Sequence, residues 1–168
     1  MGRDRWHERA CSSFRRHFKK SHPDRCLGRS RGGLTTKIHA LTDENGLPVK
    51  LAITPGQTHD AVAAAELLGD LKAGQMVFAD KAYDADWIRA MVANQSAWAN
   101  IPPKSNRKDP ICFSTYLYKA RNAIERFFNK IKYFRRIATR YDKRGSVYLA
   151  MVKLAAIRVR LRFYESTA

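Results

Sequence analysis

Between Lys37 and Ile101 the hydrophobic period switches repeatedly between two and three-to-four, a pattern that neither an all-helical nor an all-strand fold accommodates. "TKIHALTDENGLPVKLAIT" alternates as two strands, Lys37–Thr42 and Pro48–Thr54, about a turn at Asn45-Gly46. "HDAVAAAELLGDL" then reads as a helix, with Asp60 the expected N-cap and Gly69 near its end. "QMVFAD" is a short apolar strand ending on a carboxylate. "YDADWIRAMVANQ" is a second helix with Asp84 and Asp86 as candidate caps, and "AWANIPPK" is a strand stopped by two prolines. A basic loop, "PPKSNRKDP", leads into a long helix over Tyr116–Ile137. Ser146 can cap a last helix, whose apolar positions Val147, Met151, Leu154, Ile157 and Leu161 step by three and four. The order hairpin, helix, strand, helix, strand, helix, helix implies an α/β sheet with helices on its faces. At 168 residues and 45% hydrophobic, the chain is expected to form one core.

Charge divides the chain differently. The formal net charge of +17 exceeds anything a neutral small-molecule substrate requires, and a compact chain so charged repels itself unless a polyanion is its partner. Residues 1–33 hold ten Lys/Arg against three acids, 34–103 five against eight, and Lys104–Arg162 seventeen against three: Asp109, Glu125 and Asp142. A mildly acidic middle is thus flanked by two basic regions. Residues 1–33 lack a usable period and close on "GRSRGG", so they are expected to form an irregular basic arm, with the folded domain over 34–168. Nucleic acid is the expected partner; an anionic membrane surface or a ribosome-type scaffold is a less specific match. No apolar run approaches the roughly 18 residues of a membrane span. The first twenty residues contain no apolar core of a signal peptide, and three cysteines, Cys11, Cys26 and Cys112, suit a reducing cytoplasm.

Within "YKARNAIERFFNKIK" one acid is held among cations. On a helix, Tyr118, Arg121, Glu125 and Lys132 share a stripe roughly 60° wide. Ile124, Phe127, Phe128, Ile131 and Phe134 face a core, whereas Lys119, Arg126, Lys130 and Arg136 point outward. A strip at the edge of a core is where a cleft wall lies. An Arg121–Glu125 ion pair at i,i+4, worth a few tenths of a kcal/mol, would account for the acid. So would a role as metal ligand, with the cations gripping phosphates. The second carboxylate for that role is Asp80, just beyond the carboxyl end of the "MVFAD" strand, where chemistry gathers in open α/β sheets. A turn or cap acid is its alternative reading.

Tyr118-x2-Arg121-x3-Glu125-x6-Lys132 resembles the signature around the last acid of bacterial insertion-sequence transposases of the DDE superfamily. "GRSRGGLTTKIHALTD", "TPGQTHD", "ADKAYDAD", "IPPKSNRK" and "IERFFNKIKYFRRIATRYDK" are similar to successive blocks of that family, in the same order. The resemblance implies an RNase H-like mixed sheet flanked by helices, and an activity that cuts and rejoins DNA at the ends of a mobile element. It implies two Mg²⁺ (or Mn²⁺) ions held by three carboxylates, with Asp80 the second and Glu125 the third. Tyr118, Arg121 and Lys132 are then expected on the transposon-end strand. Arg126, Arg135, Arg136, Lys104 and Arg107 are expected as further DNA-binding cations, and dimers would act on paired ends.

The family's first acid lies on an apolar strand upstream of the "GRSRGG" block. The acids in residues 1–33 are Asp4, Glu8 and Asp24, and none lies in an apolar strand. The expectation is therefore a sheet lacking its central first strand, in a truncated or frameshifted copy that is inactive alone. The competing class is a basic nucleic-acid-binding protein without catalysis. Zinc at His7, Cys11, His17, His22 and Cys26 fits no common ligand spacing. His39 reads as a strand-face residue, and Trp87 and Trp98 as core fillers.

Overall fold

The alternation over 37–54 becomes a long antiparallel hairpin. The structure, a computed structural model, describes residues 9–10, 25–30 and 33–167. Strands β1 (Arg9–Ala10) and β2 (Gly28–Ser30) each pair antiparallel with β3 (Gly33–Thr42), which also pairs antiparallel with β4 (Pro48–Pro55). The rest of the basic arm, with Asp4, Glu8 and Asp24, lies outside the described residues. Along the hairpin, Ile38 stands opposite Ile53 and Ala40 opposite Leu51, so β-branched and aliphatic pairs line one face. At the turn, Asp43 Oδ1 accepts from the amides of Asn45 (3.0 Å) and Leu47 (2.8 Å). Gly46 takes φ +75°, and a Cβ there would stand 2.7 Å from the Ala123 carbonyl oxygen. The turn therefore requires glycine twice over, for its backbone and for its approach to the helix that carries Glu125.

A second sheet is the parallel pair β5 (Met76–Phe78) and β6 (Trp98–Asn100), with Val77 opposite Ala99. Parallel strands need a crossover, which α2 (Asp86–Asn94) supplies, burying Ile88 and Val92. α1 (Ala64–Leu68) is entered by a 3-10 turn over Asp60–Ala63. The cap of that turn is His59, whose Nδ1 accepts from the Ala61 amide at 3.2 Å; Asp60 instead pairs with Lys37 at 2.9 Å. α2 follows Ala85 with no side-chain cap, because the Asp84 carboxylate is spent elsewhere, as described below. Trp87 is 48% exposed rather than in the core. Among the described residues no ladder joins the two sheets. A side chain links the hairpin to the 3-10 turn that follows β5: buried His39 meets Thr54 Oγ1 through Nε2 (2.8 Å) and Tyr83 Oη through Nδ1 (3.2 Å). The chain is mixed α/β, as the alternating periods predict.

The long helix is not continuous. Ser114 caps α3 (Thr115–Tyr118) by accepting from the Leu117 amide. A 3-10 turn over Lys119–Arg121 follows, then α4 (Asn122–Lys132). Phe134 leaves helical dihedrals before α5 (Arg135–Ala138). The break lets Phe134 and Ile137 both reach a cluster formed with Phe127, Ile131, Tyr148 and Val152. α6 (Gly145–Thr167) also differs from expectation. It buries Tyr148, Val152, Ala155, Ala156 and Val159, whereas Val147, Leu154, Ile157 and Leu161 are exposed, Leu154 by 58%. Apolar residues lie on both sides of this helix, so period alone could not choose between them. The alanine-bearing side is the one that packs with Ile38, Ala40, Leu51 and Ile53 of the hairpin. Buried Arg140 fastens this layer to the start of the sheet: its guanidinium donates to the carbonyls of Arg25 and Cys26 and to Thr36 Oγ1, and lies 4.9 Å from the Tyr148 ring centroid.

Candidate active site

Asp80 lies two residues past β5, extended at φ −68° and ψ 159°, and opens the 3-10 turn Lys81–Tyr83. The short strand ends there and delivers its carboxylate toward α3 and α4. In a 3-10 turn residues three apart eclipse, and the turn over Lys119–Arg121 brings Tyr118 and Arg121 onto one line. The Arg121 guanidinium lies 5.4 Å from the Tyr118 ring centroid, and the Tyr118 hydroxyl donates to Asp80 Oδ1 at 3.1 Å. Arg121 Nη1 pairs with the same Oδ1 at 3.2 Å, while Nη2 donates to Glu125 Oε1, one α-turn further on. Two carboxylates 45 positions apart thus meet on opposite nitrogens of one guanidinium.

The electrostatics follow from partial burial. The Asp80 and Glu125 side chains are 49% and 41% exposed, and that of Arg121 only 21%. Burial, then the Asp80 charge, pushes the Tyr118 phenol up to about 12, so it stays a donor at neutral pH. Burial alone would lower the Arg121 pKa; Asp80, then Tyr118 and Glu125, outweigh it and raise it. The remaining oxygens, Asp80 Oδ2 and Glu125 Oε2, take no hydrogen bond from the described residues. Two hard, half-exposed carboxylates suit Mg²⁺ or Mn²⁺, since Mg²⁺ commonly takes one or two protein carboxylates and fills its shell with water and phosphate oxygens. The donor chemistry therefore fits a divalent cation. Among the described residues no group of three His, Cys, Asp or Glu side chains gathers to form a fuller cage.

The other expected residues surround this centre in different states. Lys132 Nζ bonds Asn129 Oδ1 at 3.0 Å on its own helix. Arg126 reaches the Glu44 carbonyl at 3.5 Å, and Arg136 pairs with Asp142 at 3.3 Å with its own side chain 59% exposed. Arg135 is exposed and Lys104 half-buried. Arg107 is committed inward: its Nε pairs with Asp84 and its Nη1 with Asp86, both at 2.6 Å.

Asp84, like Asp60, is an acid whose position before a helix reads as a cap and which the fold uses otherwise. Its carboxylate accepts from Arg89 Nε (2.9 Å), Arg107 Nε and the Lys104 amide (2.8 Å), and Arg89 continues to the carbonyls of Ala99 and Ile101. It therefore ties the basic loop after β6 to α2. Its position before α2 suggested a cap; the signal for a buried role was the paired cations of "WIR" and "SNR", which only folding brings to one point.

The family model for the Transposase DDE domain matches residues 9–160. A protein of Brucella ovis named for transposition of insertion sequence element IS6501 is 43% identical over 130 residues, covering 77% of this chain and 100% of that protein. The transposase for IS1106 of Neisseria meningitidis serogroup B is 30% identical over 125 residues, with 71% of this chain and 41% of that protein aligned. A Burkholderia cepacia protein named for IS402 is 25% identical over 137 residues, with 75% and 62% covered. The chain thus spans the Brucella relative but less than two thirds of the other two. No solved structure matches it. No helix among the described residues is long and apolar enough to cross a membrane. With the family model covering most of its length and a relative 43% identical over 77% of it, the chain belongs to the DDE transposases of bacterial insertion sequences.

Proposed function

We propose that this chain is the RNase H-like catalytic portion of a DNA transposase, with Asp80 and Glu125 as metal-holding carboxylates. The observation that carries the reading is their convergence through Arg121, with Tyr118 on the same oxygen. A divalent ion held by Asp80 and Glu125 would activate an attacking hydroxyl and stabilise the leaving oxygen of phosphoryl transfer. The side chains around it do the binding. Tyr118 orients Asp80; Arg121 and Lys132 neutralise the scissile region of the transposon-end strand; Arg126, Arg135, Arg136 and Lys104 track the DNA backbone. Arg107 acts through Asp84, holding the loop that presents Lys104. The reaction takes place on DNA in the cytoplasm, with two chains acting on paired ends.

The family's first acid belongs on an apolar strand, and Asp4, Glu8 and Asp24 have no such context in the sequence. By itself, then, the chain neither cleaves nor joins DNA. Thermal unfolding with and without Mn²⁺ tests the site: wild type should be stabilised, as any ligand that favours the folded state stabilises it, and Asp80→Asn should not. Salt-sensitive DNA binding with no response to Mn²⁺ in either protein would favour a binding module without catalysis instead. Strand-transfer products made by the chain alone, and lost in Glu125→Gln, would refute the inactivity while supporting the site.

A further inference from the structure

We infer that Arg121 competes with a divalent cation for Asp80 Oδ1 and Glu125 Oε1, and that DNA phosphate relieves the competition. The inference rests on the metal-dependent reading above. A single side chain neutralises both carboxylates, and it does so through one oxygen of each, while the uncharged Tyr118 hydroxyl donates to the same Asp80 oxygen. Two neighbouring carboxylates repel unless a cation stands between them. The guanidinium therefore keeps the pair together without metal, and it also claims oxygens that a metal would use. It is only 21% exposed, so water screens it less than it screens the carboxylates. A guanidinium binds phosphate by the same two-pronged geometry as carboxylate. A phosphodiester arriving beside Tyr118 offers Arg121 an alternative partner and frees Asp80 and Glu125 together.

Linkage makes the consequence reciprocal: if DNA tightens metal binding, metal tightens DNA binding by the same factor. The chain would load its cation weakly in free solution and strongly on DNA.

Electron paramagnetic resonance of free Mn²⁺ tests this on the whole chain, alone and with a short DNA duplex. The double variant Asp80→Asn/Glu125→Gln, titrated alike, sets the baseline for Mn²⁺ held elsewhere on protein or DNA. Above that baseline, wild type should bind Mn²⁺ about tenfold tighter with duplex than without, a coupling of ordinary size. Arg121→Ala should bind about tenfold tighter than wild type in the absence of DNA. Arg121→Lys, whose ammonium lacks the fork that serves both carboxylates, should fall between. Arg121→Gln removes the charge at similar length and makes the same comparison should alanine fail to fold. If Arg121→Ala and Arg121→Gln bind Mn²⁺ no tighter than wild type while all three exceed the baseline, the inference is overturned and the metal-binding reading stands. If no protein exceeds the baseline with or without DNA, both fall.

Discussion

Replacing Asp84 by asparagine removes one buried charge and leaves two arginines facing a neutral amide of the same size. The Asp84 side chain has no exposed surface, while those of Arg89 and Arg107 are 16% and 18% exposed. Breaking a buried pair from one side costs about 3–5 kcal/mol. Water can reach both arginines in part, so the expected loss at pH 7 is at the low end, about 3 kcal/mol. For a chain of this size that is about 6–12 °C in Tm. The pH dependence has a definite sign. Burial alone would raise the Asp84 pKa, but hydrogen bonds from Arg107, the Lys104 amide and Arg89 hold it well below the usual carboxylate range. Its stabilisation is therefore complete above the unfolded carboxyl's pKa, about 3.9, and is lost as pH falls below that toward the folded value. Urea unfolding followed by circular dichroism should give a wild-type–variant gap about 1 kcal/mol narrower at pH 3 than at pH 7. A loss under about 1 kcal/mol at pH 7, the scale of a surface ion pair, would refute the structural role of the cluster. So would a gap as wide at pH 3 as at pH 7.

Three further outcomes are expected. Gly46→Ala combines a positive φ with a contact against the Ala123 carbonyl and should cost about 1–3 kcal/mol in the same unfolding assay. On α6, Val152→Ala should cost about 2 kcal/mol, whereas Leu154→Gln should change stability by less than about 0.5 kcal/mol, because the helix buries the first and exposes the second. In DNA-binding titrations, Arg136→Ala should reduce the slope of log K against log salt by about 0.9, one phosphate contact. Arg107→Ala should lower Tm instead, since its guanidinium already serves Asp84 and Asp86.

Much of this was legible before folding. The Lys37–Thr54 hairpin, the turn at Gly46, the β5–α2–β6 order and the stripe of Tyr118, Arg121 and Glu125 all follow from local period and turn chemistry. Errors came where a residue had two local uses. Asp60 and Asp84 both precede helices and both read as caps; one pairs with Lys37 and the other is buried beneath Arg89 and Arg107. α6 has apolar side chains on two faces, and only its neighbours decide which face the core takes.

Sequence alone determined the hairpin, the β5–α2–β6 unit, the basic flanks and the family, because these depend on neighbours within about two helical turns and on ordered blocks of residue types. Tertiary structure decided that Asp80 and Glu125 share a guanidinium, and that Asp84 is an anchor rather than a cap. Those facts belong to contacts between segments distant along the chain, where packing and desolvation choose among partners that local spacing leaves equal.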